Sequence, residues 1–257
     1  MRCNSKGRLR IVGIGPGSKD DVTFGAKRAI EECDIVVGYE GYIDIVKEIF
    51  SQEILSEKEV ISTGMGRELT RAKKAIEKVL EGFDVCVVSS GDPGIYGMAG
   101  PILELLNNEA MEKIAIEIIP GVTAASVCAS LLGAPLMNDF AVISLSDHLV
   151  SLEIIKKRVK AACEGDFVIV FYNPKAKNRE KPFQVALEIL LKFRPPSTPV
   201  GIVKNAKRKS QEVIITNLNR ISGLETIDMV STLIVGNSST FIKGKYMITP
   251  RGYGIEG

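Results

Sequence analysis

Leu9-Arg10-Ile11-Val12-Gly13-Ile14-Gly15-Pro16-Gly17 runs a β-rich apolar segment directly into a loop of three glycines and a proline. Beyond it, Val22, Ala26, Ala29, Ile30 and Cys33 recur at helical spacing, with Thr23 or the Asp20-Asp21 pair placed to cap the first turn. Strand, glycine loop, helix is the opening of a βαβ unit. The same alternation continues outward. Strands are expected at 34–38, 60–62, 84–89 and 115–119, joined by helices near 41–50, 67–81 and 98–107. Pro120-Gly121 interrupts the pattern, a small-residue helix follows over 122–132, and the junction between two domains, 1–120 and 121–257, is placed there.

The second half restarts with strand-like runs at 140–144, 167–172 and 200–203, linked by helices near 151–163 and 183–193. Its tail changes character: 213–216, 231–236 and 246–249 are strand candidates with little helix between them. The expected fold is therefore α/β in two domains, a mostly parallel N-terminal sheet with flanking helices and a C-terminal domain built on a mixed sheet. The length of 257 residues suits two modest cores.

Composition excludes several classes. No apolar run approaches the ~18 residues of a membrane span, and the first seven residues lack the apolar core of a secretory signal, so a cytoplasmic protein is expected. A net charge of +2 lacks the basic footprint of a general nucleic-acid binder. Five scattered cysteines (Cys3, Cys33, Cys86, Cys128, Cys163) form no Cys-x-x-Cys pair and read as reduced, mostly buried thiols. His148 is the single histidine, more in keeping with a surface or capping role, and no protein-bound metal is expected.

The loop at 13–17 stands where a dinucleotide fingerprint would, yet Ser18 replaces its last glycine and Pro16 removes an N–H that pyrophosphate would use. A cofactor without phosphate fits better. A nicotinamide enzyme with Glu40 as ribose ligand stays open, as does a tight turn that binds nothing. A second strand-end loop, Ser89-Ser90-Gly91-Asp92-Pro93-Gly94-Ile95-Tyr96-Gly97, packs three glycines, a proline and an acid into its last seven residues. That density suits a backbone approached closely by another group. In an open α/β sheet, loops after the first and fourth strands can line one crevice. Asp92 could accept from hydroxyl or amino groups there, or serve only as an Asp-Pro turn.

These two loops, with Pro-Gly-Val-Thr-Ala-Ala-Ser at 120–126 and Phe-Tyr-Asn-Pro at 171–174, resemble the tetrapyrrole methylase family in order and spacing. Ile61 to Glu68, Gly133 to Met137, Asp139 to Asp147 and Thr249 to Tyr253 further resemble its branch of precorrin C-17-methyltransferases. The resemblance runs from Leu9 to Tyr253. It implies a two-domain enzyme, a homodimer, holding S-adenosylmethionine in the cleft between domains and acting on precorrin-3B or cobalt-precorrin-3 with ring contraction. Carried over by position, it implies cofactor contacts at Pro16, Ser90, Gly91, Asp92, Ile95, Thr123, Ala124, Asn173 and Ala206. Relatives often carry methionine at the position of Asn173 and glycine at that of Ala206.

Methyl transfer to an electron-rich carbon rests on positioning and needs no protein nucleophile, so the lack of a Ser-His or Cys-His pair is in keeping with it. Ring contraction calls for an acid and a base. Asp92, Tyr96 and Glu68 are the candidates, with Tyr39 and Glu40 behind them. A tetrapyrrole substrate bears many carboxylates, for which Arg67, Arg179 and Arg251 are the candidate partners, with Lys175, Lys177, Lys204, Lys207 and Arg208 in the neighbouring clusters. Solvated basic loops remain the plainer alternative. Methylases of other tetrapyrrole positions, a nicotinamide oxidoreductase and a noncatalytic tetrapyrrole carrier are the competing functions.

Overall fold

A computed structural model describes residues 7–253, so Cys3 lies outside the described residues. The chain divides into two compact units, 1–124 and 125–257.

The first unit is a five-stranded sheet in the order β3-β2-β4-β1-β5. Its strands are β1 (Arg8–Gly13), β2 (Ile35–Tyr39), β3 (Glu59–Thr63), β4 (Val85–Ser89) and β5 (Ala115–Ile119). Every pairing is parallel, as the βαβ alternation requires. The central strands are buried on both faces because successive residues feed different cores. Leu9, Ile11, Val85 and Val87 pack under α4 (Glu68–Leu80) and α5 (Ala99–Leu105). Val12, Ile14, Cys86 and Val88 pack under α1 (Phe24–Glu32) and α2 (Glu40–Ile49). Arg10 interrupts the second of these faces and is paired there, its guanidinium 2.8 Å from Glu32 and 3.5 Å from Glu117. Thr23 is the N-cap of α1, its Oγ accepting from Ala26 N at 3.1 Å. Such a cap contributes about 1 kcal/mol.

Two short helices escape the sequence pattern, α3 (Gln52–Ser56) and α6 (Asn108–Lys113). Neither is long enough to complete two turns of periodicity, and the segment expected as one helix over 98–107 ends at Leu105 before α6 begins.

The second unit begins at Ala125, one residue into α7 (Ala124–Leu132), and carries a five-stranded sheet in the order β10-β9-β11-β8-β7. Its strands are β7 (Phe140–Ser144), β8 (Val168–Tyr172), β9 (Pro199–Lys204), β10 (Glu212–Asn217) and β11 (Ser231–Val235). β7 and β8 are parallel, while β11 runs against both β8 and β9 and β10 runs against β9, so the sheet is mixed. The helices α8 (Leu152–Glu164) and α9 (Lys181–Phe193) cover one face through Ile143, Ile169, Phe171, Ile202 and Leu233. On the other face Leu132 of α7 fills the space beside Gly201, where a Cβ would stand 2.3 Å from Leu132 Cδ1. A small sheet of β6 (Gly133–Ala134), β12 (Phe241–Lys243) and β13 (Tyr246–Ile248) completes the unit. β6 and β12 are too short to register as an alternating pattern.

Cys33, Cys86, Cys128 and Cys163 are buried and unbridged. Burial pushes the Cys128 thiol up to about 11. Among the described residues no helix is long and apolar enough to cross a membrane.

Candidate active site

Both glycine loops of the first unit leave the carboxyl ends of adjacent strands, and the backbone ties them to each other. Ile14 N donates to Ser89 O at 2.9 Å, then Gly15 N donates to Gly91 O at 3.2 Å and Gly91 N to Gly15 O at 2.7 Å. Gly15 and Gly91 can make this exchange because both are left-handed, φ +70° and +67°. The segment at Pro120-Gly121 closes against them. A Cβ on Gly121 would stand 2.1 Å from Gly91 O and 2.7 Å from Gly13 C, so three glycines converge on one point.

Asp92 stitches this junction. Its Oδ1 accepts from Gly94 N at 2.8 Å and its Oδ2 from Gly121 N at 3.1 Å. One carboxylate thus shapes the turn of its own loop and holds the segment that leads to Thr123 and Ala124. The loop ends where Ser89 Oγ accepts from Met98 N at 3.1 Å and Pro93 O accepts from Ala99 N at 3.0 Å. Ile95 and Tyr96 are exposed, and Tyr96 is left-handed at φ 54°. A Cβ on Gly91 would meet Thr123 Cα at 3.7 Å and Ala124 N at 3.8 Å, ordinary contact distances, so Gly91 is packed against the segment that leads to Thr123 and Ala124. Ser18, which breaks the dinucleotide pattern, instead accepts from Asp20 N and caps a single 3-10 turn over Lys19–Asp21.

The structure therefore brings Ser90, Gly91, Asp92, Thr123 and Ala124 to one junction, with Pro16 following Gly15 beside it. Glu68 and Arg67 lie elsewhere in the same unit. They follow β3, the edge strand, two strands from β4 and so about 10 Å across the sheet. Tyr39, at the end of the intervening β2, stacks edge-on against Tyr42 with ring centroids 5.2 Å apart.

In the second unit, Asn173 follows β8 in a left-handed conformation, φ 51°, its Nδ2 donating to Ser144 Oγ at 3.1 Å. Arg179 grips the same turn. Its guanidinium donates to Asn173 O at 3.1 Å and to Leu145 O, with Asp147 3.9 Å away. These contacts occupy the fork that the sequence suggested for a substrate carboxylate. Ala206 sits between two left-handed residues, Asn205 (φ 49°) and Lys207 (φ 60°). Lys204 is ion-paired at 2.9 Å with Asp228, whose carboxylate raises the Lys204 ammonium above its ordinary value. A cavity of about 530 Å³ opens beside these loops, lined by Lys175, Lys177, Leu224, Ile227, Asp228 and Met229 among others. Arg251 is exposed and donates to Met137 O at 3.4 Å, and His148 is exposed in the turn after β7.

Arg71 was not among the sequence candidates. It sits in α4 on the face formed with Ala72, Ala75 and Val79, and is 3% exposed. Its Nε donates to Thr63 Oγ1 at 2.9 Å, Nη2 to Gly64 O at 3.3 Å and Nη1 to Met98 Sδ at 3.4 Å. Burial lowers the guanidinium from its ordinary value. A cation in the apolar stripe of an amphipathic helix was the signal that could have revealed it.

The pattern that defines the Tetrapyrrole (Corrin/Porphyrin) Methylases matches residues 8–222. The chain belongs to the tetrapyrrole methylase family. It is 46% identical to the probable cobalt-factor III C(17)-methyltransferase of Salmonella typhimurium, over 95% of this chain and 99% of that one. It is 47% identical to the cobalt-factor III methyltransferase of Priestia megaterium over 96% of this chain, spanning only 45% of that longer protein. Among solved structures, the methyltransferase CobJ superposes with a TM-score of 0.88 at 36% identity, covering 95% of this chain and all of that one. A uroporphyrin-III C-methyl transferase from Thermus thermophilus, complexed with S-adenyl homocysteine, shares the fold with a TM-score of 0.65 at 21% identity, over 90% and 97% of the two chains.

Proposed function

We propose that this methyltransferase moves a methyl group from S-adenosylmethionine to C-17 of a precorrin-3B or cobalt-precorrin-3 type macrocycle, with ring contraction, in cobalamin synthesis. The observation that carries the reading is the 46% identity, nearly end to end, with a relative named for C(17) methylation. The junction of the two glycine loops supports the cofactor. Its glycines, Gly15 and Gly91 in left-handed conformation, present backbone and not side chains to a ligand, and Pro16 leaves that loop poorly equipped for pyrophosphate.

Ser90, Gly91, Asp92, Thr123 and Ala124 would hold the cofactor, joined by Pro16 and Ile95 and, from the second unit, by Asn173 and Ala206. When bound, S-adenosylmethionine supplies an electrophilic methyl group on a positively charged sulfur. The chain's own residues supply alignment. Asp92 fixes the Gly94 turn and the Gly121 segment that leads to Thr123 at once, so the junction keeps one shape before ligand arrives. Asp92 and Tyr96 are the proposed proton-handling groups nearest this junction, while Glu68 would act from the β3 end. Arg67 and Arg251 offer exposed guanidinium groups to substrate carboxylates. Cobalt, where present, belongs to the substrate. The enzyme works as a cytoplasmic homodimer, a reading supported by the family resemblance.

The test is turnover with S-adenosylmethionine carrying a ¹³C methyl group, using macrocycle with and without cobalt, and NMR of the product. A new methyl at C-17 is expected. A methyl at any other carbon contradicts the C-17 assignment, and binding of NADH in place of S-adenosylhomocysteine contradicts the cofactor.

A further inference from the structure

β8 sends successive side chains to opposite faces of its sheet. Phe171 enters the core under α8 and α9, and Tyr172, the last residue of the strand, turns to the α7 side. There its hydroxyl accepts from Ala125 N at 2.8 Å. The first N–H groups of a helix have no acceptor within it, so this bond meets a need that α7 cannot meet itself. Packing alone does not ask for the hydroxyl, since a phenylalanine would fill the same space and leave Ala125 N without this acceptor.

The Tyr172 backbone is fixed in turn. Its carbonyl accepts from Leu145 N at 2.9 Å, and it stands opposite Ser144 in the register of β7 and β8. The next residue, Asn173, is tied to the same Ser144 through its side chain, and Arg179 holds its carbonyl. A tyrosine ring turns about only two torsions, so the hydroxyl is placed almost as firmly as the strand that carries it. Residues on both sides of the Tyr172–Ala125 bond are proposed cofactor contacts: Ala124 opens α7, and Asn173 follows Tyr172.

We propose that Tyr172 is a positioning residue for the methyl donor, its hydroxyl fixing the first turn of α7, which carries Ala124, to the end of β8, which leads to Asn173. This deepens the reading above and rests on it. Tyr172 touches neither cofactor nor substrate in this role. It sets the contacts that do, so that they need not be ordered when the ligand binds.

Tyr172→Phe keeps the ring and removes the bond. Ser238→Ala is its control, removing a hydrogen bond to Asp166 beyond the opposite end of β8. Both variants lower Tm by about 4 °C or less. By calorimetry Tyr172→Phe raises the Kd for S-adenosylhomocysteine about three- to ten-fold, the worth of one hydrogen bond, whereas Ser238→Ala leaves it unchanged. In turnover the KM for S-adenosylmethionine rises in Tyr172→Phe while that for macrocycle stays within about two-fold. Hydrogen exchange at the Ala125 amide speeds up in Tyr172→Phe and not in Ser238→Ala. An unchanged Kd in Tyr172→Phe, or a Kd raised equally by Ser238→Ala, overturns the proposal and leaves the bond a purely structural one. A wild type that does not bind S-adenosylhomocysteine overturns the cofactor reading and this proposal with it.

Discussion

The strand-end loops of the two units reach unusual backbone conformations by different means. In the first unit they are reached mainly with glycine: Gly15 and Gly91 are left-handed, beside Tyr96, and a Cβ on Gly13 or Gly121 would collide with the backbone of the neighbouring loop. In the second unit the left-handed positions of the loops after β8 and β9 are Asn173, Asn205, Lys207 and Ser210, held by side-chain bonds from Arg179 to Asn173, Asn173 to Ser144, Asn205 to Ser210 and Lys207 to Gln211. A glycine junction is rigid because contact distance leaves it no room, whereas a side-chain-tied loop is fixed only as long as its ties hold. Substitutions of the packed glycines should therefore act through sterics, and substitutions of the tying side chains, Asp92 in the first unit and Arg179 in the second, through lost hydrogen bonds.

Gly121→Ala is expected to have the largest effect. With a Cβ 2.1 Å from Gly91 O the junction must open, at a cost of about 3 kcal/mol or more, read as a fall in Tm of about 6 °C or more. A neutral result would mean that the two loops are not locked. Asp92→Ala comes next. It strips acceptors from Gly94 N and Gly121 N, costing about 1–2 kcal/mol, and calorimetry should show S-adenosylhomocysteine binding weakened about ten-fold. Unchanged binding would remove Asp92 from the cofactor site.

Arg179→Ala tests the second unit. It frees Asn173 O and Leu145 O, at about 1–2 kcal/mol, and should raise the Kd for S-adenosylhomocysteine more than the KM for macrocycle. The reverse split would restore Arg179 as a substrate ligand. The smallest effects anchor the scale. Thr23→Ala loses a helix cap worth about 1 kcal/mol, whereas Gly64→Ala, with open space around it, should change chemical-denaturation stability by less than about 0.5 kcal/mol.

The same contrast explains what could be read from sequence. The parallel sheet was legible because strands buried on both faces, such as Val85–Ser89, are nearly all apolar and alternate with amphipathic helices. The junction of the two glycine loops was legible because close backbone approach demands glycine. Roles that depend on which donor reaches which carbonyl were not. Arg179 read as a free cation next to Asn173-Pro174, and only coordinates show its fork spent on two loop carbonyls. Arg71 read as one more charge on a charged helix, since its burial depends on how α4 lies on the sheet. Short elements such as α3 and β12 carry too few residues for periodicity to mark.

The central claim is that the glycine junction of the first unit cradles the methyl donor. A crystal structure of the protein grown with S-adenosylhomocysteine tests it most directly. Density for the ligand is predicted against this junction, in contact with Ser90–Asp92 and with Thr123 and Ala124; fully occupied ligand density elsewhere, with none at the junction, would contradict it.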